Sequence, residues 1–195
     1  MDKLANAITS YYVAKNVITK DKQEIYSYGF KLIIADVINY IIIITLGIIL
    51  NRLPESILYL VSLCGLRRFT GGFHAKTFWL CRLSMVITYM CVMLLSDAAA
   101  NMEYKMAVVL SINIISIIFI AVFAPIEHPN KPLSDEQKHN NKIKSVITSA
   151  FMSAAACILI AAGVNFGVTI SITLLAVVIL MIIGSVTTKG GKDNV

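Results

Sequence analysis

Six stretches of the chain are apolar enough to lie in a bilayer, and polar and charged residues collect between them. A hydrocarbon core about 30 Å thick needs roughly 20 apolar residues per helix. By that measure spans are expected at about 32–50, 54–66, 79–96, 106–124, 146–162 and 168–186. The second is short. Its thirteen residues make about 20 Å of helix at about 1.5 Å each, so it must extend past its ends, thin the bilayer or be re-entrant. Pro54 and Glu55 suit a helix start, because proline loses no needed donor there and a carboxylate faces the positive end of the dipole. The pattern predicts an all-α polytopic membrane protein with about six transmembrane helices. Short loops between spans make one domain over 1–195 the economical reading.

Two segments fall outside this pattern. Residues 1–31 are mixed polar, with Leu4, Ile8 and Tyr11 at helical spacing, and are expected to form a cytoplasmic or interfacial helix lying along the membrane. Lys3, Lys15, Lys20 and Lys22 scattered through them do not fit a secretory signal. Residues 125–145, PIEHPNKPLSDEQKHNNKIKS, are expected to form one long polar loop, held out of helix by Pro125, Pro129 and Pro132.

Composition agrees with the span count. The chain is 57% hydrophobic and only 14% charged, with a mean hydropathy of +0.78, outside the range of soluble domains. Its net charge of +6 would suggest nucleic acid in a soluble protein, but here the basic residues sort by loop. Fourteen of the seventeen fall in the loops on the N-terminal side of the membrane, Arg52 and Lys105 fall opposite, and Arg82 sits just inside the third span. The positive-inside rule then places both termini in the cytoplasm. No nucleic-acid partner is expected.

The stretch RRFTGGFHAKTFWLC, residues 67–81, carries the candidate chemistry. A histidine can take a proton from a thiol and later give one to a leaving amine, and a thiolate attacks an acyl carbon well. On one continuous helix His74 and Cys81 would share a face but stand about 10.5 Å apart along the axis, too far for proton transfer. They cooperate only if the chain folds back, which Gly71 and Gly72 permit. His74 is therefore expected in a loop or short separate helix within a catalytic segment 67–78, and Cys81 in the first turns of the third span. A helix N-terminus with Arg67, Arg68 and Lys76 nearby is a setting that favours thiolate.

Each residue also has a plainer reading. Cys81 can be one more membrane cysteine, like Cys64, Cys91 and Cys157, which lie in apolar runs as small hydrophobes, and His74 an interfacial histidine. Arg67 and Arg68 can be topology determinants, or can hold a carboxylate or steady an oxyanion. Asp36 and Asn39 share a helix face and are expected to point inward, orienting the histidine or supplying polar packing. His128 and His139 belong to the polar loop, and Lys31 snorkels at the entry of the first span. The cysteine spacing fits neither a disulfide framework nor a zinc site. No nucleotide-binding glycine motif occurs, so no cofactor or metal is expected. On the residues alone, a transporter conducting past Asp36 and Asn39, or a non-enzymatic membrane partner, stands beside an enzyme.

The segment Arg67-Arg68-x-x-Gly71-Gly72-x-His74-Ala75, with Cys81 seven positions after the histidine, resembles the signature of the accessory gene regulator B (AgrB) family of bacterial membrane peptidases. Phe123-Ala124-Pro125 followed by Asn130-Lys131-Pro132 resembles that family's second cytoplasmic loop. The resemblance implies a multi-pass thiol protease of the bacterial cytoplasmic membrane, acting in quorum sensing with its active site facing the cytoplasm. It would cleave an AgrD-type precursor peptide, hold the N-terminal part as an acyl thioester, and release a cyclic thiolactone or lactone. By motif position Cys81 would be the nucleophile and His74 the general base and acid, with Arg67 and Gly72 at positions important in the family. A homodimer is implied as well. Some relatives carry a glutamine near the entry of the first span, where an ungapped placement puts Lys31. No catalytic role is carried onto that lysine.

Overall fold

The computed structural model describes residues 2–71, 77–126 and 133–189. Among these, the regular elements are all helical: α1 (Asp2–Ala14), α2 (Gln23–Ile49), α3 (Leu53–Thr70), α4 (Phe78–Ala100), α5 (Lys105–Phe123), α6 (Asp135–Ala161) and α7 (Phe166–Lys189), with one 3-10 turn at Lys20–Lys22. The chain is an all-α membrane protein in which α2, α4, α5, α6 and α7 are long and apolar enough to cross a bilayer.

The helix limits correct three expectations. The second span is not a 13-residue segment: α3 runs for 18 residues through Arg67 and Arg68 to Thr70, about 27 Å of helix. Arginine is a good helix former and is favoured in a last turn by the dipole, so the pair that ends the apolar run does not end the helix. The loop of 125–145 is also shorter than expected, because α6 begins at Asp135. Ser134 caps it, accepting the Gln137 N–H while the Gln137 side chain accepts the Ser134 N–H, a reciprocal pair that satisfies two otherwise orphan donors. Finally, α2 starts nine residues before the expected 32, at Gln23.

The chain divides into two compact units, Met1–Leu46 and Gly47–Val195. In the first, α1 docks on the early turns of α2. Asp2 pairs with Lys31 at 2.7 Å, Ser27 donates to Asn6 at 2.6 Å, and the Tyr12 and Phe30 rings stack at 5.9 Å. The Lys31 hydrogen bond and charge hold the Asp2 carboxyl below its ordinary range. The buried face of α1 is Ala5 and Thr9, while Leu4 and Tyr11 are exposed. The small residues, rather than the apolar stripe, meet α2 because they allow close approach. On α2 the buried stripe is Ala35, Asn39 and Ile43. Asp36, about 100° round the helix from Ala35, is exposed, so Asp36 and Asn39 do not point inward together.

The second unit is a bundle in which α7 packs against α3, α4, α5 and α6. Its buried residues run almost without break from Val168 to Val178, as expected of a helix surrounded by others. The outer helices bury one stripe each. That of α3 is Ser56, Tyr59, Leu63, Leu66 and Thr70, and that of α6 is Ser145, Ser149, Ser153, Ala156 and Ile160. Small residues at four-residue spacing let helix backbones approach closely in a membrane. The closest approach is at Gly167, where an added Cβ would stand 2.2 Å from the Ala156 carbonyl oxygen. Gly167→Ala should therefore push α6 and α7 apart and destabilise the protein by about 1–3 kcal/mol. Thermal unfolding in detergent checks this against Gly29→Ala, where nothing lies within 4 Å of the new methyl and little change is expected.

Candidate active site

Successive helices of the bundle run antiparallel, so the C-terminal ends of α3, α5 and α7 lie at the same end as the starts of α4 and α6. Cys81 is the fourth residue of α4 and is partly buried. Thr77 caps this helix, accepting the Leu80 N–H at 3.3 Å, and the Cys81 N–H reaches the Thr77 carbonyl at 3.1 Å. All four cysteines are free thiols. The expected start of α4 is thus correct: Cys81 lies in the first turn of the helix.

One turn further along the same face, Tyr59 of α3 donates its hydroxyl to the Met85 carbonyl at 3.2 Å. Tyr89 stacks edge-on against Tyr59 at 5.4 Å and shares a 2.8 Å hydrogen bond with Ser56. These buried tyrosines fix how α4, and with it Cys81, stands against α3. Arg67 and Arg68 occupy the last turn of α3, a helix end joined to the start of α4 by residues 71–77.

Gly71 terminates α3 at φ 68° and ψ −146°, a conformation essentially confined to glycine. A bridge joins it to Ile126, just past the end of α5, and the Ile126 N–H donates to the Thr70 carbonyl at 2.9 Å. A Cβ on Gly71 would stand 2.3 Å from the Ile126 carbonyl oxygen. Ala124, in the extended cap of α5, is buried. Lys144 of α6 lies over the Phe69 ring at 5.9 Å. The two segments that carry the family resemblance, around Gly71 and around Ala124 and Pro125, therefore meet in space at the end of α3. Gly72, His74, Lys76 and His128 lie outside the described residues. Asp36 and Asn39 belong to the first unit. His139, expected in a loop, is exposed on α6.

At the opposite end of the bundle, the two basic residues assigned to the far side both have polar partners. Arg52 pairs with Asp97, and Lys105 donates to Asn165 at 2.9 Å.

Sequence reasoning did not find Tyr59, Tyr89 or Ile126. Nothing local marks an apolar or aromatic residue as a partner for one more than 25 positions away. The Ser134-x-x-Gln137 pattern, by contrast, was a readable signal for the start of α6.

A family model described as Accessory gene regulator B matches residues 1–186. The chain belongs to that family. Membership places it in accessory gene regulation and quorum sensing. The chain is 30% identical over 122 residues to a putative AgrB-like protein 2 of Clostridium perfringens strain 13, covering 60% of this chain and 57% of that one. It is 24% identical over 142 residues to a putative AgrB-like protein of C. perfringens strain SM101, covering 71% and 66%. It is 26% identical over 192 residues to protein FsrB of Enterococcus faecalis, covering 93% and 78%. The matches thus span less than two thirds of either clostridial relative. No solved structure matches the chain.

Proposed function

We propose that this family member is a cysteine endopeptidase and cyclase of the bacterial cytoplasmic membrane that matures an AgrD-type precursor peptide. The observation that carries this reading is the position of Cys81, in the first turn of α4 beside an α3 end clamped by the Gly71–Ile126 bridge. Cys81 attacks the scissile carbonyl, His74 takes the thiol proton and gives it to the departing amine, and an acyl thioester forms. A thiol or hydroxyl within the held peptide then attacks the thioester, its proton passes back through His74 to Cys81, and the ring closes as a thiolactone or lactone. Water must lose that competition, which favours a site sheltered by helices. Arg67 and Arg68 suit an oxyanion or a substrate carboxylate, with Gly71 and Gly72 shaping the loop.

The loop charge asymmetry supports a site facing the cytoplasm with both termini on that side. The working unit in this proposal is a homodimer. A transporter conducting past an inward-facing Asp36 and Asn39 has less support, because Asp36 is exposed.

Mass spectrometry of membranes incubated with a candidate precursor tests the reading. The expected result is an acyl adduct on Cys81 that hydroxylamine removes. Cleavage with no adduct on that residue at any time point, even in rapidly quenched samples, would sink the thioester pathway.

A further inference from the structure

A groove of about 390 Å³ opens on the surface between the end of α5 and the first half of α6, lined by Ala121, His139, Lys142, Ile143, Val146 and Ile147. The five α6 residues follow helical spacing along one face and span about 12 Å of axis. Along that face chemistry changes with depth. His139 and Lys142 lie towards the polar start of α6, and Ile143, Val146 and Ile147 lead into its apolar run. Ala121 supplies the width, since its short side chain leaves open what a larger residue on α5 would fill.

Three observations favour an anionic amphiphile as occupant. Lys138 is already paired with Asp135 at 3.6 Å, whereas Lys142 makes no ion pair among the described residues. Ile143 and Ile147 stay exposed on the protein side, so the apolar floor lacks cover. The walls are helices whose backbone groups bond internally, leaving no free strand edge to register an extended peptide. The groove also lies on the face of α6 turned away from the end of α3. Lys144, which lies over Phe69 of α3, is about 200° round α6 from Lys142. With 27 residues, α6 is about 40 Å long, roughly 10 Å more than the hydrocarbon thickness. Its first turns therefore stand at headgroup level.

We propose that this groove binds one anionic phospholipid, with Lys142 and His139 holding the headgroup phosphate and an acyl chain lying along Ile143, Val146 and Ile147 over Ala121. A bilayer supplies this ligand at high local concentration, and its two parts match the groove's two parts in order. The bound lipid would fix the depth of α6.

The test uses the full chain, purified and exchanged into nanodiscs of equal phosphatidylglycerol and phosphatidylcholine with matched acyl chains, then released for native mass spectrometry. One cation at an anionic lipid surface favours binding about fivefold. The wild type should therefore retain one phosphatidylglycerol at about that preference or more. Lys142→Gln should lose about fivefold of the preference, Ala121→Phe should retain neither lipid, and Lys144→Gln, on the other face, should match the wild type. Soluble glycerol phosphate should not displace the lipid. The proposal fails if the wild type shows no preference, if Lys142→Gln and Lys144→Gln behave alike, if glycerol phosphate competes, or if the retained mass is a peptide. Should Ala121→Phe fail to fold, the two lysine variants decide.

Discussion

Cys81→Ala should reduce precursor cleavage by at least about a thousandfold, the scale on which loss of a nucleophile acts in covalent catalysis, while leaving the protein folded. The thiol is partly buried at a helix start, so its loss opens little cavity, and the melting temperature in detergent should hardly move. Cys81→Ser should be nearly as poor, because a hydroxyl beside the same histidine is a far weaker nucleophile at neutral pH. His74→Ala should fall into the same range. The double variant should be no worse than the worse single one, because residues that act as a unit are not additive. Steady-state cleavage of a candidate precursor by reconstituted membranes measures all four. Undiminished cleavage in the Cys81 variants would remove the enzyme reading proposed for this chain. Loss of function in Asp36→Asn instead would revive a transport role.

Gly71→Ala is expected to have the next largest effect. Two costs combine there: a backbone conformation worth about 1–3 kcal/mol to any other residue, and a methyl carbon placed 2.3 Å from the Ile126 carbonyl oxygen. Either the end of α3 unwinds or Ile126 lifts away, and the chain leading to His74 shifts in both cases. A misplacement of about 1 Å typically lowers rate by about a hundredfold, so cleavage should drop by that order. Gly163→Ala is the matched control. Its φ is 79° but nothing lies within 4 Å of the added carbon, so it should lose stability and keep its rate. Equal rates in the two variants would mean that the clamp does not position the loop.

The parts of this fold that were legible in the sequence are those written in contiguous hydrophobicity. Long apolar runs announced α2, α4, α5 and α7, and the expected start of the third span put Cys81 in the first turn of α4, while the expected place of His74 lies outside the described residues. The misreadings occurred where helix and hydrophobicity part company. Residues 135–145 form three helical turns with hardly an apolar residue among them, and their cap, rather than any stripe, gives them away. Arg67 and Arg68 end a greasy run without ending a helix. Pairings such as Tyr59 with Tyr89, or Thr70 with Ile126, depend on which helices become neighbours. Single-chain periodicity carries no information about that.

The central place of α7 sets an order of assembly. A ribosome adds about 5–20 residues per second, and α7 is the last described helix to emerge. Until it does, α3, α4, α5 and α6 have inserted without the helix that each of them packs against. The helix that bears Cys81 finds its main neighbour only then. The seat of the Cys81 thiol is thus completed only once α7 joins the bundle, so docking of that helix should set the pace at which the surroundings of Cys81 form.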